Sequence, residues 1–150
     1  MEFISVDLAT LIGTLDKLKA DKTPAWGGMS AQRMVEHLTE MIQMSVGKGD
    51  YQQLTPEDKI ESMQRFLDSD KPMAKGITVE LAPAEFKLKH DELELAVDDF
   101  IDNWLAFEEY YEENPSATNL HPFYGQLNEE KWRRLHSKHF THHFQQFELI

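Results

Sequence analysis

The sequence predicts an all-α fold, a four-helix bundle with a long crossover and one short extra helix between its second and third main helices. Three observations predict it. Apolar residues recur at intervals of three and four through four long segments. Most of these segments begin or end on recognisable caps, and no two stretches read as a convincing strand pair. A chain of 150 residues is the usual size of one folding unit, so residues 1–150 are expected to form a single domain.

The first helix is expected between Ile4 and Lys19, where Leu8, Leu11, Ile12, Leu15 and Leu18 share a face. The stretch KTPAWGGMS ends it with Pro24 and the Gly27–Gly28 pair. Ser30 then stands as the N-cap of a second helix running to about Val46, with Gly47 as its stop. In LTPEDKIESMQRFLDSD, Thr55 as cap, Pro56 at the first helical position and an acidic first turn predict the short extra helix. Lys71 to His90, broken by Pro72, Gly76 and Pro83, reads as the crossover, partly extended around ITVEL. The third long helix puts Leu93, Ala96, Val97, Phe100, Trp104, Phe107 and Tyr111 on one face, and Pro115 follows its end. PSATNLHPFYGQL is expected to be a loop, and Asn128 to cap the last helix.

Composition narrows the chemistry. Fifteen basic residues against 27 acidic ones give a net charge of −12, which repels phosphate backbones and anionic lipid, so nucleic acid and membrane are not expected partners. With no cysteine, any metal must be held by imidazole or oxygen ligands. The N-terminal stretch has no basic region before its apolar residues, no run is long enough to span a bilayer, and the expected compartment is the cytoplasm.

The last helix holds LHSKHFTHHFQQF, with His136, His139, His142 and His143. At about 100° per residue and with Trp132 as origin, His143 lies at roughly 20°, His136 at roughly 40° and His139 at roughly 340°. His142 lies on the flank at roughly 280°. Lys131, Arg134 and Lys138 cluster at roughly 200–260°, predicting a charged back turned to water. Arg133 adds to this local basic group, which is expected to be a solvated helix face.

Histidines on an apolar stripe need partners for their ring nitrogens. His139 and His143, one turn apart, have the spacing of a metal-binding pair; His136 with His139 is an alternative, and ordinary core packing is another. A further inward histidine would complete a site, and His37, at the border of the stripe Met34, Leu38, Met41 and Ser45, is the candidate. His121, ahead of Pro122, and His136 are candidate pocket or supporting residues, with loop packing and core packing as the plainer readings. Glu40 and Glu108 are candidate ligand-orienting groups or bases, more simply exposed carboxylates, and Trp132 is core or pocket wall. His90, among charges, is expected to be solvated.

The W-G-x-M-S lead into the second helix in WGGMSAQRMVEHL, with HPFYGQLNEEKW and HFTHHFQQF, resembles the DinB-like superfamily of four-helix-bundle metalloenzymes. It is more closely similar to a bacterial subfamily known as a domain of unknown function. The resemblance implies a divalent metal ion, zinc, nickel or iron, bound by His37, His139 and His143. It also implies a thiol-dependent S-transferase or hydrolase type of activity on a small electrophile, with a low-molecular-weight thiol as cosubstrate. The second reading is a non-catalytic ligand-binding or dimerisation module, a homodimer whose histidines line the core.

Overall fold

The computed structural model describes residues 2–75 and 87–150, and the described chain is mostly helical. Helix α1 spans Leu8–Leu15, α2 Ala31–Ser45, α3 Ile60–Asp68, α4 Leu93–Glu113 and α5 Glu129–Gln146. None of the described helices is long and apolar enough to cross a membrane. The extended stretch expected near Gly76 and Pro83 falls outside the described residues.

Helix α1 is shorter than its apolar periodicity suggests. Asp7 caps it by accepting from the Thr10 N–H, so Ile4 to Val6 precede the helix instead of opening it. That leading segment runs along α5, with the Ile4 N–H donating to Thr141 Oγ1 and Ser137 Oγ donating to the Ile4 carbonyl. Ser30 caps α2 as expected, its hydroxyl accepting from the Arg33 N–H. Gly47, at φ 86°, ends that helix where a Cβ would lie 2.7 Å from Asn119 Oδ1, so only glycine fits both the turn and the contact. Before α3 the chain makes a short 3-10 turn at Glu57–Lys59, and Thr55 does not cap it: its hydroxyl donates to the Phe123 carbonyl.

The loop expected before α5 contains a small antiparallel hairpin, β1 at Asn119–His121 and β2 at Gly125–Leu127. Asn119 pairs with Leu127 and His121 with Gly125. Strands of three residues are too short for a period-two pattern to be visible in sequence. Asn128 then caps α5 by accepting from the Lys131 N–H.

Helix α2 packs on both α4 and α5, and α4 also packs on α1. Phe100, Trp104, Phe107 and Tyr111 from α4 meet Trp132, Phe140 and Phe144 from α5 in an aromatic core. The stripe predicted for α4 holds, except that Val97 is only half-buried.

The basic back of α5 is not turned to water. Helix α3 packs there, and α5's cations reach the carbonyls that the end of α3 leaves without helical partners. Lys138 Nζ donates to the carbonyls of Phe66 and Ser69, and Arg134 to those of Leu67 and Ser69. Lys131 pairs with Asp68 at 2.6 Å and Arg133 with Glu108 and Glu129. Long aliphatic stems let these residues cover apolar surface while their heads bond, so Lys138 is 1% exposed. Burial lowers its pKa to about 8.

Candidate metal centre

Helices α2 and α5 bring His37, His139 and His143 together. His139 Nε2 lies 3.0 Å from His37 Nε2 and 3.1 Å from His143 Nε2. One ligand atom from each of the three residues lies within 4.8 Å of the others, an arrangement that could hold a metal ion. A zinc ion 2.0–2.1 Å from each nitrogen sets tetrahedral ligand atoms about 3.4 Å apart, close to the two short separations. The rings meet edge to face, centroids 4.7 to 5.0 Å apart, so each presents a nitrogen instead of stacking.

The protonation pattern follows from the neighbours. Gln146 Nε2 donates to the Trp26 carbonyl at 2.9 Å, which leaves Gln146 Oε1 as an acceptor 2.7 Å from His143 Nδ1. His143 therefore carries its proton on Nδ1, and its Nε2 is a bare lone pair aimed at His139. One proton cannot serve both short contacts of His139 Nε2 with good geometry. Burial pushes His143 down to about 4, and burial first, then neighbouring positive charge, pushes His37 and His139 well below the usual imidazole range. Three neutral imidazoles with converging lone pairs are the donor set a divalent cation takes. His37 Nδ1 has no partner among the described residues, so His37's outer nitrogen lacks the support that His143's has.

The turn before α2 builds that support. Gly27 adopts φ 79°, and a Cβ there would come within 3.1 Å of Gln146 Nε2. The Ala25 N–H also donates to the Gln146 carbonyl, so residues 25–27 hold the end of α5. Sequence reasoning missed Gln146, although its place three residues after His143 on the same helix was the available signal.

The other candidates lie elsewhere. His136 stacks between Trp132 and Phe140, and its Nε2 lies 3.0 Å from Ser45 Oγ. Ser45 Oγ donates to the Ile42 carbonyl, so it accepts from His136; His136 Nδ1 then has no partner among the described residues, and burial lowers this ring to about 3. His121 Nδ1 accepts from the Phe123 N–H in the hairpin turn, and burial lowers the ring to about 4. Trp132 is fully buried, its indole N–H donating to the Asn119 carbonyl. Glu108 is paired with Arg133 at 2.7 and 2.8 Å, and Glu40 with Arg33 at 3.0 and 3.3 Å. Both carboxylates are engaged by guanidinium groups. His90 is half-buried and bonded to Asp99 at 2.9 Å, not solvated as expected.

A family model described as a protein of unknown function, DUF1569, matches residues 2–149. No curated protein and no solved structure matches the chain.

Proposed function

Because the chain belongs to the family described as a protein of unknown function, DUF1569, no activity comes with its family, and we propose from the site itself that His37, His139 and His143 hold one divalent metal ion. The observation that carries this is the convergence of three Nε2 atoms with His143 locked as the Nδ1–H tautomer. An all-imidazole set suits zinc, nickel or iron. Three protein ligands leave a position open for a reacting molecule, as catalytic sites require. We further propose a DinB-like bundle enzyme of the thiol-dependent S-transferase or hydrolase type, acting on a small electrophile. The ion supplies a Lewis acid that brings the pKa of a bound thiol or water towards neutrality. His139 is partly exposed as a residue whereas His37 and His143 are buried, and Gln146 ties His143 to the Trp26 carbonyl.

The engagement of Glu40 and Glu108 by arginines favours one alternative, a non-catalytic helical binding module, because neither carboxylate is placed as a free base. The test is elemental analysis of untagged protein after reconstitution, beside the His139→Ala, His143→Ala double variant. About one equivalent of metal in wild type and none in the variant is the expected result. A wild type that stays metal-free, with a melting temperature indifferent to zinc, nickel and chelator, refutes the metal site.

A further inference from the structure

Helices α1 and α4 supply no ligand to the histidine cluster, and they pack together with a groove of about 570 Å³ between them. Ile12 from α1 and Val97 and Ile101 from α4 give it an aliphatic lining. Both helices also contribute acid: Asp16 directly after α1, and Asp98 and Asp102 on α4. Ile12 is 45% exposed, and Val97 and Ile101 are only half-buried. Leu105, one turn beyond Ile101 and 47% exposed, continues the same row along α4. A contiguous apolar row open to water and rimmed by polar groups is the mark of a contact surface.

The acid beside that row has no partner in the described fold. Glu94, Asp98 and Asp102 follow one another at four-residue intervals on α4, a spacing at which like charges work against a helix. Among the described residues no cation and no hydrogen-bond donor reaches their carboxylates or that of Asp16. Asp99, in the same turn of α4 but outside the groove, shows the contrast, because Lys89, His90 and Asn103 all bond its carboxylate. The acidic row is thus a destabilising feature of α4 that nothing among the described residues offsets.

We propose that the groove between α1 and α4 docks a basic amphipathic helix of another protein, with its apolar residues on Ile12, Val97 and Ile101 and its lysines or arginines against Asp16, Asp98 and Asp102. Aliphatic side chains one turn apart match the anchor spacing of a helix lying in a groove. Acid on both helices selects cations on either side of the partner's apolar stripe. A second copy docking through the same face would set acid against acid. The basic row of α5 is not available to a second copy either, because its cations are engaged by the end of α3 and by Asp68, Glu108 and Glu129.

The test titrates the full chain against a fluorescein-labelled peptide of leucines and lysines set at helical spacing, with a scrambled peptide of the same composition beside it, and reads fluorescence anisotropy. Three variants accompany wild type: Asp98→Asn with Asp102→Asn, Ile12→Ser, and Asp50→Asn with Asp58→Asn, which removes the same charge outside the groove. The amphipathic peptide is expected to bind wild type and the scrambled one far more weakly. Affinity is expected to fall roughly threefold to tenfold in the Asp98, Asp102 double variant, the size of two partly exposed ion pairs, and to fall in Ile12→Ser, but to hold in the Asp50, Asp58 control. The Asp98, Asp102 double variant should melt no lower than wild type, since it relieves like-charge repulsion on α4. Equal binding of the scrambled peptide, or an equal loss in the control, reduces the effect to net charge and overturns the docking site. So does a wild type that binds neither peptide, or one that dimerises on concentration and becomes monomeric in Ile12→Ser, which assigns the groove to a second copy.

Discussion

Gln146→Leu tests the most specific feature of the metal centre. Leucine keeps much of the side-chain volume but removes both polar ends, the acceptor 2.7 Å from His143 Nδ1 and the donor 2.9 Å from the Trp26 carbonyl. Without the acceptor, His143 can move its proton to Nε2, and that tautomer cannot bind metal through Nε2. Outer partners of this kind are worth 10- to 100-fold in metal affinity, about 1.4 to 2.7 kcal/mol. Metal-free stability is expected to fall as well, by about 1–3 kcal/mol, because a buried carbonyl and a buried ring N–H lose their partners. Competition against a chromophoric chelator measures the affinity, and urea unfolding of chelated protein measures the stability. Gln146→Glu retains an acceptor and should retain metal, at some cost in stability where a carboxylate faces the Trp26 carbonyl. Should Gln146→Leu lose stability yet bind metal within about twofold of wild type, the tautomer argument is wrong and Gln146 is only a structural tie.

Two further outcomes follow. His121 and His136 have folded pKa values lowered to about 4 and about 3, below the unfolded value of 6.5, so the unfolded chain binds more protons in that interval. Their contribution is fully present above about pH 6.5 and is lost as pH falls towards 4 and 3, at up to about 1.4 kcal/mol per pH unit for each proton. In chelated protein His121→Phe should flatten the dependence of the urea midpoint between about pH 6.5 and 4.5, and an unchanged slope counts against its buried neutral state. Lys138→Met should destabilise the fold by about 1–2 kcal/mol, because the carbonyls of Phe66 and Ser69 each lose one of their donors while Ser69 and Arg134 keep them bonded, with metal affinity preserved; equilibrium unfolding and the chelator competition check the two halves.

The helices were legible where a cap and a period agreed. Ser30 and Asn128 mark the starts of α2 and α5, and the stripe from Leu93 to Tyr111 marks α4, because each rests on local backbone chemistry or on one buried face. What failed depends on partners distant in sequence. The outward angle of Lys138 and Arg134 was correctly placed on α5, but helical phase cannot reveal that the end of α3 waits on that side. Thr55 has cap chemistry yet spends its hydroxyl on Phe123, 68 residues away. At the site, phase separated His139 and His143 from the flanking His142, whereas the partners of Glu40 and Glu108 were invisible because each required a specific arginine geometry. Gln146 stands three residues after His143 on α5, but an uncharged amide gives no sign in the sequence of which group it will bond.

The contact between His37 and His139 spans 102 residues of chain. An ion gripping both ends turns most of the polypeptide into a closed ring, and by the chain-entropy model closing a loop of that length withdraws about 4.7 kcal/mol of freedom from the unfolded ensemble. Because α5 supplies two of the three nitrogens and is also the helix that α2, α3 and the leading segment pack around, the ring closes only after the last helix has docked. If the proposed ion binds there, its uptake is a late event that locks an assembled fold. Its loss is expected to show first as faster unfolding, before any change in the folded architecture.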